Sequence, residues 1–128
     1  MKKYLTTIAI IFLMGCANFQ QKAGNTLVVA QSAAVSARET MLPIVDNFCV
    51  QTAEACRQVQ DTQCEPLAKC QEFRVDFINA LIGLHYAILD ANTALAIGDE
   101  ETTWAAIDRA LELIRELRLQ MRALGIVG

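Results

Sequence analysis

Apolar residues recur every three or four positions through most of the chain, and no run outside the N-terminal segment alternates as a strand would. The first such stretch is 26–42. It puts Val28, Gln31, Val35, Arg38 and Leu42 on one helical line, with Ala30, Ala33, Ala34, Ala37 and Met41 beside it. Asn25 or Thr26 can cap it. Pro43 then interrupts, removing a backbone donor and crowding the carbonyl four residues back. Either one long helix kinks there, or a new helix starts with Pro43 in its first turn. The pattern resumes over 44–59, where Val45, Cys49, Thr52, Cys56 and Val59 share a face, flanked by Phe48 and Ala55.

Pro66 suits the first turn of the next helix, which runs to about Ile97. Cys70, Phe77, Leu81, Leu84, Ile88, Ala91 and Leu95 form its main stripe. A second line, Ile78, Ile82, His85 and Leu89, widens that face, so this helix is expected to be central and to touch two neighbours. Gly98 stops it. Asp99 offers a cap, and Glu100 and Glu101 suit a first turn. The last helix, from about Glu100 to Leu124, carries Ile107, Ala110, Leu111, Ile114, Leu117, Met121 and Leu124 on one side and ends at Gly125. Arg115, Arg118 and Arg122 load its C-terminal half. The pattern therefore predicts an all-α domain over 26–128. It is an antiparallel three-helix bundle with the first helix kinked at Pro43, or four helices if the kink is a break.

Cysteines sharpen the picture. Cys49 and Cys56 are seven residues apart, about 10 Å along a helix, too far for a disulfide between them. Of the two pairings that remain, the nested one, Cys49 with Cys70 and Cys56 with Cys64, matches the constant register of an antiparallel hairpin. The crossed one does not. The turn would centre near Val59 and Gln60. A structural zinc site is the rival, but it prefers short knuckles, and no Cys-x-x-Cys occurs. Free or catalytic thiols are the third reading. The nested disulfides make a helical hairpin stapled across its turn.

Lys2 and Lys3 precede an uncharged apolar run from Tyr4 to Met14, too short to span a bilayer and consistent with an export signal. It ends Leu13-Met14-Gly15-Cys16. This resembles the lipobox of bacterial lipoproteins, although Met14 stands where a small residue is commoner. The resemblance covers residues 1–16 only. It implies a signal peptide over 1–15 and lipidation at Cys16, with acyl chains such as palmitate, and a tether over 16–25 leading to the bundle. Ala17, where an inner-membrane protein would show Asp, implies the periplasmic face of the outer membrane. Five cysteines are an odd number, and assigning Cys16 to lipid leaves four to pair in an oxidising compartment.

Charge excludes more than it assigns. The chain has 11 basic and 14 acidic residues, a net charge of −3. Without Lys2 and Lys3 the balance is more acidic still, which leaves no footprint for nucleic acid. His85 is the only histidine. Asp90, Asp76 or Asn79 on the same helix could in principle pair with it, but a structural or half-exposed role is expected. Tyr86 reads as a packing or rim residue, and Trp104 as a core plug or a partner contact. Phosphate-loop, dinucleotide, serine-elbow and HExxH motifs are missing from the sequence. No catalytic residue, metal or cofactor is expected. The expected role is an interaction or assembly factor for an envelope complex, anchored by lipid and bound to an envelope protein. A small-ligand or lipid carrier and a periplasmic inhibitor or immunity factor are the alternatives.

Overall fold

A computed structural model describes residues 2–59 and 64–124, with side chains from Asn18 onward. Four α-helices follow in order: α1 (Lys2–Ser36), α2 (Leu42–Gln58), α3 (Glu65–Ala96) and α4 (Glu100–Ala123). A single π-helical turn, Ala37–Met41, joins α1 to α2 without a break. The molecule is thus a bundle of three rods: α1 with its π turn and α2, then α3, then α4. The rod that contains Pro43 stays continuous.

The π turn has a clear cause. Pro43 cannot donate to a carbonyl in the preceding turn, and its ring crowds that turn. The chain widens just ahead of it: the Leu42 N–H donates to the Ala37 carbonyl, five residues back. The extra residue also corrects the register. Ala37 and Val45 are both buried, yet eight residues on an unbroken α-helix would separate them by roughly 80°.

The second rod begins where Pro66 predicts, with Cys64 as its cap residue. It ends at Gly98, which takes a positive φ of 75°. A side chain there would be strained, so glycine suits the helix end. Asp99 then caps α4, its side chain accepting from the Thr102 N–H at 3.1 Å and from the Thr102 hydroxyl at 2.7 Å. These bonds hold the Asp99 carboxyl below the usual carboxylate range. A depressed pKa means the cap is fully engaged at neutral pH and is lost as the pH falls below that range. Circular dichroism between neutral and strongly acidic pH is expected to show the start of α4 fraying. Asp99→Asn should remove that step, because an asparagine cap does not titrate.

Phe77, Leu84, Val45, Ile107 and Leu117 are the large side chains at the centre of the core. α3 packs against both other rods, most extensively against α4, so the central placement expected of it holds. Its second face differs from expectation. Ile82 and Leu89 are each 50 % exposed, and His85 is exposed too. Ala80, Ala87 and Ala94 are buried in their place. Small residues let α4 approach α3 closely, and the bulkier line is left on the far side. The same exchange occurs on α1: Val28 and Val35 are exposed, whereas Leu27, Ala30 and Ala37 are buried. In the hairpin and on α4, Val59 and Leu111 also lie on the surface.

The largest correction concerns the expected tether. Residues 18–25 belong to α1, and Phe19 and Ala23 are buried with Leu27, Ala91 and Ile107 in a second core cluster. Phe19 meets Trp104, ring centroids 6.2 Å apart and tilted by 59°. The polar letters around Phe19 occupy the outer face of a helix whose inner face is apolar. The expected signal and lipobox at residues 1–16, the middle of the turn at 60–63 and the stop at Gly125 lie outside the side chains described. Among the described residues no helix is long and apolar enough to cross a membrane.

Candidate functional site

Two disulfides tie α2 to α3. Cys49 joins Cys70, with α carbons 5.6 Å apart, and Cys56 joins Cys64 at 5.8 Å. The nested pairing expected from the hairpin register is the one present. Cys49, Cys56 and Cys70 are buried, so the outer bridge is part of the core and not a reactive surface. Arg74 pairs with Asp46 just beyond it. That ion pair stands in the same antiparallel register as the two bridges. The register of the four cysteines could have found it.

The described side chains hold no group of three or more His, Cys, Asp and Glu able to grip a metal. Two of the polar residues considered for His85 lie away from it. Asp76 and Asn79 face the furrow between α3 and α4, together with Glu116, while His85 lies across the helix in the furrow between α1 and α3. His85 instead meets Tyr86 edge-on, centroids 5.7 Å apart. Trp104 is half-buried against Phe19 and Ile107, as a plug. Glu100 and Glu101 occupy the first turn of α4, the favourable end for negative charge. Thr103, overlooked in the sequence, is fully buried, and its hydroxyl donates to the Asp99 carbonyl. An intrahelical bond of this kind lets a hydroxyl be buried without an unmet partner.

Three rods leave three furrows, and their chemistry differs. Between α3 and α4 the furrow is polar and acidic, with Asp76 and Glu116. Between α1 and α4 it is cationic, lined by Arg115, Arg118 and Arg122 beside Val29 and Leu119. Between α1 and α3 it is mostly apolar: an open groove of about 430 Å³ floored by Ala34, Leu81 and Ile88 and walled by Val35 and Leu89. Arg38 and His85 sit at its rim. Ile82 and Tyr86, 50 % and 59 % exposed, extend the apolar surface along the same side of α3. The volume is within the range of small-molecule sites, and the groove is open to solvent. This groove is the candidate site. Helical periodicity places its residues on the surfaces of α1 and α3, but which line faces outward follows from the packing of α4 alone.

No protein-family model matches the chain, and no curated protein or solved structure does so either.

Proposed function

We propose that the chain is a non-catalytic, lipid-anchored module of the bacterial outer membrane, facing the periplasm, whose α1/α3 groove binds a helix of another envelope protein. The observation that carries this reading is the groove itself: a mostly apolar trough between two rods, with Gln31, Arg38, His85 and Asn92 as its polar lining, on the side of the bundle that α4 does not cover. A fourth helix laid there would interlock with the rows of side chains on α1 and α3. Its contact face would be apolar, and acidic residues on its flanks would meet Arg38 and His85. The anchoring part rests on Leu13-Met14-Gly15-Cys16. Acyl chains on Cys16 would give lasting membrane attachment, and disulfides between helices are at home in the oxidising space that export reaches.

Proteins cross-linked to the full chain in solubilised envelopes are expected to include a specific partner. Val35→Glu with Leu89→Glu should abolish that partner without lowering Tm, because both side chains are substantially exposed. Recovery of the same partner with the double variant would overturn the docking site. Cys16→Ser should release the chain from the membrane fraction; retention there would overturn the anchor. A carrier of a small amphiphile is the second reading, favoured by the apolar floor with a cation at its rim. A ligand retained in native mass spectrometry after gentle extraction, and lost in the same double variant, would establish the carrier in place of the docking module.

A further inference from the structure

Along the outer side of α4, Glu101, Asp108, Arg115 and Arg122 recur at intervals of seven residues. Seven residues make two helical turns to within about 20°, so the four stand in one row, and all four are exposed. The first half of the row is acidic and the second half basic. Among the described residues none of the four forms an ion pair within the chain. Apolar side chains stand beside the row: Leu111 at 38 % and Leu119 at 55 % exposure, with Val29 of α1 at 65 % across the cationic furrow.

A row that reads acid, acid, base, base is complementary to itself turned end for end. We propose that α4 pairs antiparallel with α4 of a second copy, about a two-fold axis passing between Leu111 and Glu112. Glu101 then faces Arg122 of the second copy, and Asp108 faces its Arg115. The symmetry repeats both contacts, giving four ion pairs. Leu111 meets its own counterpart near the axis, and Leu119 reaches toward the half-buried Trp104. Such an interface is isologous, one patch serving both partners, as in most homodimers. A parallel pairing would set like charge against like along the whole row, so the pattern also selects the direction. A row of exposed charges specifies orientation more than it strengthens binding, and the dimer is therefore weak and salt-sensitive. The α1/α3 groove lies on other surfaces of the bundle, so this pairing stands whether or not that groove binds a partner.

The test uses the full chain in detergent, with association read by analytical ultracentrifugation. The unaltered chain is expected to dimerise at low ionic strength and to lose about tenfold or more in affinity at roughly 0.5 M salt, where the screening length falls to a few ångströms. Arg115→Glu with Arg122→Glu makes the row wholly acidic, and Glu101→Arg with Asp108→Arg makes it wholly basic. Each double variant alone should be monomeric, and mixing the two should give a one-to-one heterodimer. Cooperative thermal melts would show that both variants fold; a fall in Tm of only a few degrees is expected, since the positions are exposed but reversing Glu101 or Arg122 opposes the charge favoured at that helix end. A wild-type chain that stays monomeric at low salt overturns the proposal. So does either double variant that dimerises as the wild type does, or a mixture that fails to pair. Loss of binding to anionic vesicles in the arginine variant, with no change in oligomeric state, would assign the basic half of the row to lipid and also overturn it.

Discussion

Phe77→Ala is expected to destabilise the bundle by about 4 kcal/mol, the usual cost of emptying an aromatic site in a core. For a domain of this size that is a fall in Tm of roughly 20 °C. The position justifies the upper part of the range. Phe77 is fully buried and belongs to the cluster that gathers Ala30, Ala37 and Val45 of the first rod with Ile114 and Leu117 of α4. Its ring stacks on Phe73, centroids 6.2 Å apart. Few neighbours can relax into the space, because those on α1 are alanines on a rod already held by two disulfides. Tyr86→Ala on the same helix is the control: its side chain is 59 % exposed, and the change should stay within about 0.5 kcal/mol. Urea titration of both variants checks the contrast. A Phe77→Ala chain that loses less than about 1 kcal/mol would mean that the core is not packed as described.

The second large effect concerns the outer disulfide. Removing both of its ends, Cys49→Ala with Cys70→Ala, should cost about 3 kcal/mol. The two residues are 21 apart in sequence, but the inner bridge short-circuits part of that loop. What the outer bridge closes is then a loop of about 15 residues, for which chain entropy gives about 3 kcal/mol. The inner bridge closes a separation of only eight, and its removal should cost less, about 2 kcal/mol. Reducing both bridges should therefore consume much of the roughly 5–15 kcal/mol by which such domains are stable. Denaturant midpoints of the two double variants, measured under oxidising conditions, test the ordering. If the inner pair proves the more stabilising, the nested-loop argument is wrong.

Much of the architecture was legible in local chemistry. Pro66, Gly98 and Asp99 act within one turn of where they stand, so the start of α3, its end and the cap of α4 could be read directly. The cysteine pairing was legible for a related reason: an antiparallel hairpin has a single register, and four positions on two faces over-determine it. The polar letters around Phe19 misled because residues 18–25 contain too few apolar positions to show a period. Their burial depends on Trp104 and Ile107, some 85 residues away.

By itself, the sequence determined that the domain is helical, where the second rod begins and ends, which residue caps α4, and how its thiols pair. Each of these rests on the conformational limits of proline and glycine, on capping hydrogen bonds, or on the spacing of residues along one helix or hairpin. The tertiary structure alone decided which of the two apolar lines on α1 would be buried, and that the second line on α3 would stay at the surface beside its buried main stripe. On each helix both lines satisfy helical periodicity. The alanine-rich one on α1 faces inward because close approach of the rods rewards small side chains, and on α3 Ala80, Ala87 and Ala94 are buried alongside the expected stripe of Phe77, Leu84, Ile88 and Ala91; that leaves Val35 and Leu89 outside to wall the candidate groove. The continuity of the first rod through Pro43 was decided in the same way, since the π turn keeps Ala37 and Val45 in one core and a break would not.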